Sequence, residues 1–201
     1  MKRKLALLVA SVVCVSSIAA ANSAPTADLF PLKSGNFWTY KVTDPRGKMS
    51  QSKWVVSAAK EKSGRPLFKL SSGDTVKVYS KRDGRTYLER IEYPGKPADG
   101  VEFTPAKLVI DTNIRMDNVW KWNGKRSRGN AENEHWQTFP NEKVRVPAGE
   151  FECVRVGGLS VRDGVMVYQT RWFAKNIGVI KSLDVQGSQK TLEELLKYRV
   201  N

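Results

Sequence analysis

The sequence predicts a mainly β protein, its antiparallel strands forming one curved sheet in a barrel-like or sandwich-like body. Three observations predict it. Apolar and aromatic runs of strand length recur, separated by turn chemistry at Asp44-Pro45-Arg46-Gly47, Ser72-Gly73-Asp74, Asp83-Gly84, Pro147-Ala148-Gly149 and Asp163-Gly164. Side chains between the turns alternate with period two: in 75–80, Val76, Val78 and Ser80 share one face, Lys77 and Tyr79 the other. Helical spacing surfaces only near the end, in 191–200. There Thr191 and Glu194 fit a capping box, while Leu192, Leu196, Tyr198 and Val200 share one side of an extended strand. The neighbouring segments all read as β, which favours a closing strand.

The elements follow in order. Lys2, Arg3 and Lys4, an apolar run over 5–15 and Ala19, Ala20 and Ala21 form a secretory signal peptide, with cleavage expected between 21 and 24. Val13, where a lipidation site needs a small residue, argues against an acylated Cys14. The body over 25–201 fits one β-rich domain that is exported, to the periplasm or beyond, and is not membrane-embedded. Strands are expected at 37–43, 49–59, 67–71, 75–80 and 86–93, then a loop over 94–100 rich in Pro and Gly. More strands follow at 108–110, 119–122, 134–139, 144–146, 151–156, 160–162, 165–174, 179–183 and 191–200. Asn36-Phe37-Trp38-Thr39-Tyr40 resembles Asn118-Val119-Trp120-Lys121-Trp122 at an offset of 82, and later landmarks keep offsets of 80 to 83. The halves 29–93 and 101–200 thus read as a pseudo-repeat.

Charge bounds the partners. Without Lys2, Arg3 and Lys4, 31 basic residues face 20 acidic ones, an excess of 11. That excess favours anionic partners such as envelope polymers or lipid head groups. The basic residues sit in scattered clusters at turns, and no nucleic-acid-binding signature accompanies them, so no sequence-specific nucleic-acid partner is expected.

The catalytic inventory is thin. His135 is the single histidine, which rules out a two-histidine metal site, and no nucleophile elbow, Walker loop or dinucleotide fingerprint is present. No cofactor, no metal and no catalytic residue is therefore assigned, although paired carboxylates escape detection by sequence. Cys153 reads as a buried small apolar residue, and Gly157-Gly158 as a strand bend or bulge. The aromatic residues say more. Trp38 with Tyr40, and Trp120 with Trp122, are each two residues apart and share a side of their strand. These four are the candidate ligand-binding residues, lining a cavity for an apolar or amphiphilic ligand; filling the core is the competing role.

Three stretches, PLKSGNFWTY (31–40), VPAGEFECVRV (146–156) and RWFAKNIGVIKS (171–182), resemble in content and order a group of bacterial exported proteins of unknown function. The resemblance implies a fold similar to the half-open barrels of periplasmic lipoprotein carriers and lipocalin-like binders, and supplies no catalytic residues. The acylated N-terminal cysteine of some members is missing here. The expected function is that of a non-enzymatic cell-envelope protein that binds an apolar or amphiphilic molecule or a protein partner. A charge-driven binder of anionic envelope polymers is the alternative, and a hydrolase with an unrecognised carboxylate site the third.

Overall fold

The computed structural model describes residues 27–201 apart from Lys62, Thr112, Asn113, Asn130 and Asp163. The expected signal peptide and cleavage site lie outside the described residues. The strands are β1 (Phe37–Thr43), β2 (Met49–Lys60), β3 (Pro66–Ser72), β4 (Thr75–Arg82), β5 (Arg85–Glu92), β6 (Val101–Asp111), β7 (Val119–Arg126), β8 (Ala131–Val146), β9 (Gly149–Arg162), β10 (Val165–Ala174), β11 (Gly178–Gln186) and β12 (Gln189–Arg199). Each pairs antiparallel with the next, and β1 pairs with β12, closing the barrel and leaving no free sheet edge.

Turn chemistry and alternation produce this meander directly. Asp83 and Gly84 take positive φ in the two-residue β4–β5 turn, the conformation such a hairpin demands. Residues 191–200 lie almost wholly in strand β12, whose register sets Leu192 opposite both Leu183 and Thr43. The segments 134–139 and 144–146 form one sixteen-residue strand, because the chain crosses Pro140 through a bulge between Phe139 and Glu142. Likewise 151–156 and 160–162 join through Gly157 and Gly158 into β9.

Every second turn of an up-and-down barrel lies at the same end, and the two ends differ. A plug fills one: Leu29, Phe30 and Leu32 are buried, and Phe30 packs on Trp38, Tyr79 and Phe173 with ring centroids 5.3 to 6.5 Å apart. Polar ties hold the plug. Asn36 Nδ2 donates to Pro31 O at 2.8 Å, Asn201 N donates to Asn36 Oδ1 at 3.0 Å, and Lys81 Nζ donates to Asp28 Oδ2 at 2.5 Å. Barrels of roughly eight strands are filled by their own side chains and those of 16–18 leave a channel. Twelve strands leave room for the plug and for a cavity beyond it.

The weakest junction is β6–β7, where only Phe103↔Arg126 and Thr104↔Lys125 pair. Two indoles reinforce it from β7: Trp122 Nε1 donates to Pro105 O at 2.8 Å and Trp120 Nε1 to Leu108 O at 3.4 Å. Gly124 is required there, since a Cβ would stand 2.4 Å from the Trp122 ring and 2.7 Å from Thr104 O. The cross-strand pair Trp38↔Trp54 recurs as Trp120↔Trp136, each partner 82 residues on. No helix among the described residues is long and apolar enough to cross a membrane. The outer face carries mid-strand charges such as Lys41 with Glu194 at 2.7 Å, unlike the apolar band of a lipid-facing barrel.

Candidate ligand-binding cavity

An interior cavity of about 340 Å³ sits directly above the plug. Its floor is Tyr79 and Phe173, whose other contacts are with Phe30. The volume falls at the small end of the roughly 300–1,000 Å³ range of small-molecule sites. One part of the wall is apolar, made by Leu88 and Ile91 of β5, Val101 and Val109 of β6, and Val156 of β9. The other part is charged.

Successive inward positions of β8 are Glu132, Glu134 and Trp136, because residues two apart share a face. Both carboxylates are almost fully buried, and Lys107 of β6, itself 7% exposed, reaches them: Nζ lies 3.1 Å from Glu132 Oε2 and 2.6 Å from Glu134 Oε1. Arg126 Nε stands 2.7 Å from Glu132 Oε1, and Arg162 lies 3.4 Å from Glu134 and 3.7 Å from Glu132. The ammonium of Lys107 also rests over Phe103 and Trp122, at 4.5 and 4.2 Å from the ring centroids. Burial alone would raise the carboxyl of Glu134. The charge and hydrogen bond of Lys107, the Trp136 N–H at 3.1 Å and the Arg162 charge outweigh that and leave it below its ordinary range. A general acid needs the opposite shift, so Glu134 is held as a fixed anion.

On the opposite side stands Lys77 of β4, half-buried, with its ammonium 4.5 Å from the Trp54 ring centroid. No carboxylate among the described residues lies within ion-pairing distance of it. Burial first, and the nearby Arg171 second, lower its pKa, while Glu193 and Asp184 act in the other direction. Arg171 of β10 pairs with Asp184 of β11 at 3.5 Å. Tyr79 brings a phenol kept protonated by burial.

The four sequence-predicted residues lie on the inner face but outside this lining. Trp38, 2% exposed, donates from Nε1 to Ile177 O at 2.6 Å, and Tyr40 donates to Val179 O at 2.8 Å, so both pack the plug end. Trp120 stacks on Trp136, centroids 6.2 Å apart and planes 9° from parallel, and Trp122 backs Lys107. His135 lies on the outer face opposite Leu159, far in register from Cys153. Cys153 is buried, its thiol pushed up to about 12 by burial and by Glu142 and Glu152. Gly157 and Gly158 make room for rings rather than a bulge: a Cβ at 158 would stand 2.5 Å from Trp136, and one at 157 would stand 2.8 Å from Phe139. Lys77, Lys107, Glu132 and Glu134 escaped the sequence reading. Their legible signal was shared parity with aromatic neighbours, Lys77 with Tyr79 and both glutamates with Trp136.

A closed, plugged, twelve-stranded barrel with a charged internal cavity defines the class of this protein. Comparison with solved structures finds the same fold elsewhere. A candidate lipoprotein of Parabacteroides distasonis matches 86% of this chain and 99% of its own at 14% identity, with a TM-score of 0.50. A candidate exported protein of Bacteroides fragilis with a YmcC-like fold matches the same shares at 16% identity, with a TM-score of 0.49. No family model and no curated protein matches the chain.

Proposed function

We propose that this is an exported, non-enzymatic cell-envelope protein whose barrel holds an amphiphile. The observation that carries the reading is the cavity, lined by both apolar and charged side chains above a sealed floor. An alkyl chain fits against Leu88, Ile91, Val101 and Val156, and a polar head against the charged wall. Trp120 and Trp122 shape the cavity from behind Trp136 and Lys107, while Trp38 and Tyr40 close the plug end. Export is supported by the n-region, apolar run and A-x-A site near residue 21. The first solved structure named above is described as a candidate lipoprotein, which is in keeping with it.

Titrating saturated fatty acids of increasing length while following tryptophan emission tests the reading. Each methylene should tighten binding roughly fourfold until the cavity is full, because burying one contributes about 0.8 kcal/mol. Added salt should change this little. A second reading, binding of anionic envelope polymers, draws on the outer aromatic–cation stacks Lys53 and Arg199 about Phe37 and Arg155 over Phe139. Binding that collapses with salt and ignores chain length would favour it.

A further inference from the structure

We infer that the cavity selects an amphiphile with a single anionic head, and that Lys77 is the head-group site. The inference rests on the proposed interior binding and specifies the ligand class. It starts from the charges on the inner wall. Lys77, Lys107, Arg126, Arg162 and Arg171 line the cavity against Glu132, Glu134 and Asp184. Glu193, engaged by the Ser182 hydroxyl at 2.9 Å, adds one more carboxylate just outside the lining. One cation remains in excess.

The ion pairs show which cation has no carboxylate within reach. Lys107, Arg126 and Arg162 share Glu132 and Glu134, and Arg171 holds Asp184. Lys77 has neither an ion pair nor a hydrogen-bond acceptor among the described residues, and its ammonium rests on the Trp54 face. A ring face neutralises no charge and uses up no strong donor geometry, so the ammonium keeps its N–H groups for an incoming acceptor. A cation set on an inner wall without a counter-ion is costly in an empty barrel and favourable beside a carboxylate or phosphate monoester. The phenol of Tyr79, two residues along the same face, supplies a neutral donor to the same space. The Lys107 cluster cannot serve as well: its carboxylates already occupy the cations and would repel an anionic head.

The experiment is calorimetric titration of the mature protein with decanoate and with decanol, a pair that differs only in the head. The native protein should bind decanoate at least about tenfold tighter, the ordinary worth of a charge-assisted hydrogen bond. Lys77→Met should abolish that preference, and a far-UV circular dichroism spectrum and melting temperature matching the native protein's show that the variant is folded. Lys77→Arg should restore part of it. Equal affinities in the native protein, or a preference that survives Lys77→Met, would overturn the head-group site and leave interior binding standing. Failure of both compounds to bind would overturn interior binding and this inference with it.

Discussion

The two ends of the barrel obey one rule of alternation and come out as opposites. At the plug end, the inward positions of β1, β10, β11 and β12 are Trp38, Phe173, Ile180 and Leu195, none more than 2% exposed, and Phe30 seals the gap between Trp38, Tyr79 and Phe173. In the other half, the inward positions of β6 and β8 are Lys107, Glu132 and Glu134, and space is left among them. Apolar packing stabilises the first half. The second half spends stability on buried charge, which paired carboxylates and ammonium groups rarely return in full. Under the proposed reading the ligand sits in the second half, and a half that only held the fold together would be filled like the plug.

Removing Trp38 should hurt most. Trp38→Ala deletes the largest fully buried side chain and its hydrogen bond to Ile177, and should cost about 3–5 kcal/mol in urea unfolding. A loss under about 1 kcal/mol would mean that the plug does not anchor the barrel. Lys107→Met comes next, at about 2–3 kcal/mol, because Glu132 would keep only guanidinium partners and Glu134 only Arg162 and the Trp136 N–H. A neutral or stabilising outcome would erase the contrast between the halves.

The same contrast sets a pH dependence. The folded-state pKa of Glu134 lies below its ordinary 4.5, so its ionised form contributes stability that is complete above that value. The contribution is lost as pH falls below it through the folded-state pKa. Glu134→Gln should flatten the stability profile in that acid window, measured by urea midpoints across it, and an unchanged profile would contradict the assignment. The smallest effect is expected at Cys153. With its thiol pushed up to about 12, it should react with a thiol reagent at neutral pH only on unfolding. Rapid native reaction would place it in an exposed, activated setting that the structure does not give it.

The strands were largely legible because turn chemistry and period-two alternation are local signals. Asp83-Gly84 announced its hairpin, and the closing strand followed from the β character of its neighbours. What failed locally was decided across the barrel. The run 101–107 offers no strand signal because Pro105 and its polar neighbours break the apolar pattern, yet β5 pairs with it and the Trp122 indole of β7 holds its other side. The orientation of β4 reads oppositely from its pattern: Val76 and Val78 pack with Leu67 on the outer face, and Lys77 and Tyr79 point inward. A valine pair ordinarily marks the core side. Here the bulge of β5 and the salt bridges of Arg65 and Lys69 with Glu89 and Glu92 cover the outer cluster, and the sequence carries no trace of that cover. The aromatic pairs were found on the inner face, but their roles depend on which turns share an end.

The most direct test is a crystal structure of the mature protein with a terminally brominated medium-chain fatty acid. The account predicts a bromine peak inside the barrel, among Leu88, Val101 and Val156, and a carboxylate within hydrogen-bonding distance of Lys77. A bromine peak confined to the outer groove between Phe139, Tyr168 and Trp172, or an interior that stays filled with water at saturating ligand, would contradict it.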